Sequence, residues 1–246
     1  MTDGLLLLHA FPLDARMWEP QLSAFSPVVP VLAPHLPGFG GTPRTGPVMT
    51  MAAAANRVIE ELDDAGLDRV LVCGLSLGGY VAFELWRRAP DRFAGIVLAN
   101  TRSGADTEEG AANRRALADR LRREGNAFLV ESPPPLLSDH ATEEARTSVR
   151  HMIADQPAES IGAASLGMAE RPDSTPDLAG ITVPALVITS DADTLIQPEA
   201  SSPMASQIPG GELFVVHGAG HLSNLEQPDA FNDVLERHAE ACGILG

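Results

Sequence analysis

The sequence predicts an α/β protein: an open, mostly parallel sheet flanked by helices, with a small helical insertion between two of its strands. Three observations carry this. Short β-type runs alternate with longer helical patterns along most of the 246 residues, as in sheets built from strand–helix–strand units. The strand candidates are almost continuously apolar, as expected where helices cover both faces of a sheet. One stretch, 101–183, offers no strand candidate. A chain of this length can bury enough surface around one core to need no disulfide or structural metal.

In chain order, "GLLLLH" (4–9) is the first strand candidate and "VVPVLA" (28–33) the second. "MTMAAAANRVIEELDDAG" (49–66) has helical spacing, with Thr50 placed as an N-cap. "RVLVCG" (69–74) is a strand that runs straight into "LGGYVAFELWRRA" (77–89), a helix stopped by Pro90. "AGIVLAN" (94–100) is the fourth strand. The stretch 101–183 then opens with a charged helical pattern, whose acidic run Asp106–Glu109 reads as a solvated helix start. It breaks at "SPPPLLS" and continues with helical patterns around 141–154 and 158–169. "PALVITS" (184–190) and "ELFVVH" (212–217) are the last strands, and a helix near 228–241 follows. Residues 1–100 and 184–246 therefore form the core. The insertion 101–183 reads as a lid, since both its ends would lie at the carboxyl edge of the sheet, where open α/β folds bind ligands.

Acidic residues outnumber basic ones by 33 to 17, a formal charge of −16. That charge repels phosphate backbones, so no nucleic-acid partner is expected. Every basic residue is Arg, which excludes a Lys nucleophile or Schiff base. Cys73 and Cys242 lack metal-ligand spacing and read as reduced thiols. His9, His35, His140, His151 and His238 form no ligand cluster, so neither metal nor cofactor is expected. No apolar stretch reaches the ~20 residues of a membrane span, and the N-terminus lacks the charged start of a signal peptide. A cytoplasmic protein with no membrane partner is the expectation; the oligomeric state is open.

"GLSLG" (74–78) sits between a strand and a helix. This is the context of a nucleophile elbow, a turn so sharp that its central residue takes a strained backbone angle. Gly74 and Gly78 leave room for strand and helix to cross. Ser76 would be lifted from the sheet beside the Leu77 amide at the helix N-terminus. A serine hydroxyl needs a base, and the base an orienting acid. The loop after the strand 184–190 supplies Asp191 and Asp193, and the loop after the last strand supplies His217 and His221.

"HAFPLDARMW" (9–18) resembles the His-Gly-X-Pro oxyanion loop of the α/β-hydrolase fold family, and "HLPGFGGT" (35–42) its Asp-X-X-Gly-X-Gly-X-Ser loop. "GAGHLSNLEQP" (218–228) resembles its Gly-X-Gly-His loop ahead of Glu-X-Pro. The resemblance runs from Leu5 to about Phe231. Carried over position by position, it implies Ser76 as nucleophile, His221 as base and Asp193 as acid, with Asp191 as the rival acid. The backbone amides of Phe11 and Leu77 would form the oxyanion hole. Asp14 would cap or pin the oxyanion loop. Four positions depart from the pattern: Ala10 for Gly, His35 for Asp, Thr42 for Ser, and Ser190 for a Gly often found before the acid.

The function this implies is a serine hydrolase cleaving a small carboxylic ester or lactone through an acyl-enzyme on Ser76. Within the family the chain most resembles the 3-oxoadipate enol-lactonase-like and small carboxylesterase branch. Arg102 and Arg171 are the cations available to a carboxylate-bearing substrate. Two alternatives stand beside it. Pro12 after Phe11 also fits cofactor-free haloperoxidase-like perhydrolases, which transfer the acyl group to peroxide. A catalytically silent ligand-binding or interaction module would keep the fold without the chemistry.

Overall fold

A computed structural model of the chain describes residues 2–246. Six strands form its sheet: β1 (Asp3–Leu8), β2 (Val31–Leu32), β3 (Arg69–Leu75), β4 (Phe93–Ala99), β5 (Ala185–Ser190) and β6 (Glu212–Val216). They lie in the order β2-β1-β3-β4-β5-β6, and every pairing is parallel. All carboxyl ends therefore point to one edge. Every residue of β4 and β5, and all but the first of β3, is buried. Two-sided cover explains why these strands show no polar alternation.

Each of the six runs read as strands overlaps one, with ends that extend a residue past the run at β1, β3 and β4. The run 28–33 is the shortened case, ordered as a strand only at Val31–Leu32. Pro30 has no N–H to give a ladder, which confines it to an edge; its carbonyl still accepts from Leu5 N at 2.9 Å.

Eleven α-helices occur among the described residues. They are α1 (Glu19–Phe25), α2 (Met51–Asp64), α3 (Leu77–Arg88), α4 (Glu108–Glu124), α5 (Ala127–Glu131), α6 (Glu143–Asp155), α7 (Ala158–Ala169), α8 (Pro198–Ser201), α9 (Pro203–Gln207), α10 (Ser223–Glu226) and α11 (Pro228–Ala241). α2 begins where expected, because Thr50 Oγ1 accepts from Ala53 N at 3.1 Å. α2 packs on α3, and α1 on α11, whose Phe231 ring lies 5.9 Å from that of Trp18.

Between β4 and β5 the chain carries no strand among the described residues. α4 and α7 pack together there, and the proline run 133–135 separates α5 from α6. The acidic run at its start is not uniformly solvated. Glu108 and Glu109 are exposed in the first turn of α4, but the Asp106 side chain is only 1% exposed and is bound by arginines. No helix is long and apolar enough to cross a membrane among the described residues.

Candidate active site

Ser76 occupies the turn between β3 and α3 with φ 56 and ψ −112, a conformation L-residues avoid. What forces it is the crossing behind it. A Cβ on Gly78 would stand 2.0 Å from the Leu8 carbonyl oxygen, and one on Gly74 2.4 Å from that of Gly78. Strand and helix meet backbone to backbone, so only glycine fits at either position. Ser76 N donates to Ala99 O at 2.9 Å, pinning the turn to β4. The Ser76 hydroxyl does not cap α3, which leaves it for other chemistry.

Asp193 and His221 come together. His221 Nδ1 lies 2.8 Å from Asp193 Oδ2, with both side chains almost wholly buried. A carboxylate only accepts, so Nδ1 carries the proton and Nε2 is left as an acceptor. Asp193 Oδ1 accepts from the amides of Leu195 and Ile196, each at 2.9 Å. Burial alone would push this carboxyl up. The His221 hydrogen bond and charge, with the Ile196 amide and Asn100, outweigh that and hold it below the usual carboxylate range. The two loops are also tied by Ala192 N donating to Ala219 O at 3.1 Å.

Asp191 and His217 find each other instead, at 2.8 Å, on the surface. The Gly218 amide takes the other Asp191 oxygen at 2.7 Å. The two Asp–His pairs are separate: of the two aspartates, Asp193 bonds His221 and Asp191 bonds His217.

Phe11, Ser76 and His221 line one cavity of about 190 Å³, together with Tyr80, Pro134, Leu136, Met168, Leu195, Ile196, Arg102 and Arg114. Among the described residues nothing accepts the amide of Phe11 or Leu77. Ala10 does not take a positive φ, so the missing glycine leaves no backbone strain. Its amide donates to Met17 Sδ at 3.1 Å, and Leu13 N closes the turn onto its carbonyl at 3.0 Å. His9 anchors the loop from beneath. Its Nδ1 faces Ala10 O at 3.0 Å, and Nε2 accepts from Leu36 N at 2.9 Å. Complete burial pushes His9 down to about 4, so it is neutral at pH 7. Asp14 takes the Arg16 guanidinium and receives Gln156 Nε2 at 2.7 Å, which fastens the loop to the end of α6. At pH 7 it is charged: burial pushes it up, and the Arg16 and Gln156 hydrogen bonds bring it below the ordinary carboxylate range.

The cavity wall also contains residues the sequence did not single out. Arg114, on α4, lines it; Arg171, one of the two cations proposed from sequence, does not. Arg171 is 6% exposed, donates to the carbonyls of Met168 and Gly104, and lies over the Tyr80 ring at 4.0 Å. Arg102, Arg114 and Arg171 all bind Asp106, the last at 2.9 Å. Three cations thus surround one anion. These contacts bring together a loop, the middle of α4 and the end of α7, so no helical spacing could reveal them. Asn100, at the end of β4, donates to Asp193 Oδ2 at 3.0 Å and was equally invisible. On the other side of His221, Glu226 accepts from Gly220 N at 2.8 Å and from Ser138 N and Oγ, joining the His221 loop to the proline segment. No group of three His, Cys, Asp or Glu side chains fit to hold a metal gathers among the described residues.

The profile of the alpha/beta hydrolase family matches residues 5–234. An esterase from Thermogutta terrifontis, solved with malate bound, is 37% identical with a TM-score of 0.93, over 98% of this chain and 92% of that one. The enol-lactonase from Burkholderia xenovorans LB400 is 27% identical with a TM-score of 0.87, over 98% and 92%. 3-Oxoadipate enol-lactonase 1 of Acinetobacter baylyi is 29% identical over 234 residues, 94% of this chain and 86% of that protein.

Proposed function

The chain belongs to the alpha/beta hydrolase family, and on that premise we propose that it is a serine hydrolase cleaving a small carboxylic ester or lactone through an acyl-enzyme on Ser76. The observation that carries this reading is the buried 2.8 Å bond from His221 to Asp193, with His221 and Ser76 facing one cavity.

In this reading Ser76 Oγ attacks the carbonyl carbon and its proton passes to His221 Nε2. Asp193 holds the imidazole orientation and stabilises its charge. The tetrahedral oxyanion is received by the Phe11 and Leu77 amides, each donor worth ~3–4 kcal/mol in the transition state. His221 then protonates the leaving alkoxide. Next it takes a proton from water as the water oxygen attacks the acyl carbon. The second tetrahedral intermediate then collapses, the bond to Ser76 Oγ breaks, and His221 returns the proton to Oγ as the acid leaves.

We read 101–183 as a cap, because Arg102, Arg114, Pro134, Leu136 and Met168 all come from it. A cavity of about 190 Å³ lies below the ~300–1,000 Å³ of drug-sized sites, which supports a short acyl group. The charge on its wall supports an anionic one. Arg102 Nε has no acceptor among the described residues, and three guanidinium groups face one carboxylate. An enol-lactonase name among the relatives agrees with a lactone or ester bearing a carboxylate.

Turnover of a 4-nitrophenyl acetate-type ester, abolished in Ser76→Ala, tests the activity; equal turnover in the variant refutes it and favours the silent-module reading. Adding peroxide as competing acceptor separates hydrolysis from perhydrolysis. For the anionic preference, 4-nitrophenyl hemisuccinate should exceed neutral 4-nitrophenyl butyrate in kcat/KM by about 10-fold or more. Arg114→Gln should collapse that ratio toward one; a ratio at or below one in the native enzyme refutes the preference.

A further inference from the structure

Asn100 has no role in the proton transfers above, yet it is fully buried and holds φ 42. Strained, saturated positions of this kind persist where their surroundings over-determine them. Its amide donates to Ile188 O at 2.8 Å. Its side chain is used completely: Nδ2 donates to Ser190 Oγ at 2.6 Å and to Asp193 Oδ2 at 3.0 Å, and Oδ1 accepts from Ser223 Oγ at 2.6 Å. Ser190 Oγ in turn donates to Gly220 O at 2.5 Å.

We propose that Asn100, Ser190 and Ser223 form a positioning network that fixes the Asp193 carboxylate and grips the His221 loop on both sides. The proposal rests on the hydrolase reading of Ser76, His221 and Asp193. Asp193 Oδ2 is the oxygen that receives His221 Nδ1–H, so Asn100 and the imidazole share one acceptor while two amides hold the other oxygen. Four donors leave the carboxylate no free rotation. Gly220 lies immediately before His221 and Ser223 shortly after it, so the same network holds the base at both flanks. Ser190 is one of the positions that depart from the family pattern, which often has a glycine before the acid. A glycine here would leave one Asn100 N–H and the Gly220 carbonyl unpaired in a buried site, a costly state.

The side chain, not the turn, is the active element, and Asn100→Gly separates the two because glycine accepts φ 42 without strain. Its kcat should fall about 10- to 100-fold, with KM changed less than about 3-fold, since small misplacements of reacting groups cost this much. With one donor fewer, Asp193 holds the imidazolium proton more tightly, so the acid limb of the kcat/KM profile should move to higher pH. Tyr80 from α3, Arg102 and Arg114 from the insertion, Glu226 from α10 and the Asp191–His217 pair are the other charged or titratable groups around these loops. All are unchanged in the variant. Asn100→Asp keeps the shape but cannot donate when ionised, and should be impaired at least as much. Ser190→Gly should lose about 3- to 10-fold, and the double variant Asn100→Gly/Ser190→Gly no more than about 2-fold beyond Asn100→Gly, because the residues act as one unit.

The imidazole proton resonance and titration of His221 read the same effect without turnover, and should shift upward in Asn100→Gly. An unmoved His221 titration, with kcat within about 2-fold or falling only alongside thermal stability, overturns the network; so does a fully additive double variant. Absence of ester turnover in the native protein would overturn the hydrolase reading, and the His221 titration would still decide this one.

Discussion

Two aspartates two residues apart, Asp191 and Asp193, carry opposite expectations. Asp193 is buried and gives His221 its only carboxylate among the described residues; Asp191 is exposed and bonded to an exposed histidine. Asp193→Asn should lower kcat by up to ~10⁴-fold, because an amide in that place favours the wrong imidazole tautomer. Asp191→Asn should stay within about 3-fold of the native rate. Steady-state kinetics on one activated ester decides between them, and the reverse pattern would show that the acid has been misassigned. The residues alone narrow the acid to these two, and the family resemblance implies Asp193; in the structure Asp193 bonds His221 while Asp191 bonds His217.

At the scale of elements, the contact that sets the site is the crossing of α3 over β1 and β3. Because Gly78 has backbone where a Cβ would go, Gly78→Ala must push α3 off the sheet. A loss of ~3 kcal/mol or more is expected, at the upper end for overpacking. Chemical denaturation measures it, and near-native stability would mean that the helix can retreat without cost. This element was legible in advance because its chemistry is local: glycine spacing, a strand before, a helix after. The insertion was legible only as helices. α6 and α7 lie where their periodicity put them, but Asp106 read as a solvated helix start and is a buried hub for three arginines. Pairings between distant segments leave no local pattern, and the same holds for Asn100 and Asp193.

For the whole molecule, the parallel sheet was predictable because burial on both faces writes itself into continuous apolar runs, and the sheet order agrees with the alternation of strands and helices. Its stability should depend on pH through His9. A histidine whose folded value is about 4 against an ordinary ~6.5 is neutral in the native state and gains a proton on unfolding. Its contribution is whole above pH ~6.5 and is lost as pH falls toward about 4, amounting to roughly 3 kcal/mol. The Asp14, Asp106 and Asp193 carboxyls, all held low, add their losses only below the ordinary carboxylate range. Thermal midpoints of the native protein should therefore already decline between pH 6.5 and 4.5. His9→Gln should flatten that slope, and an equal slope in the variant would exclude His9 as its source.

The Asp106 hub also bears on how such a protein could change its diet over evolutionary time. Arg171 is committed to backbone carbonyls and an aromatic face, whereas Arg114 reaches the cavity from a helix surface. On the proposed anionic preference, a change at position 114 would alter which molecules are accepted while Arg102 and Arg171 still neutralise Asp106.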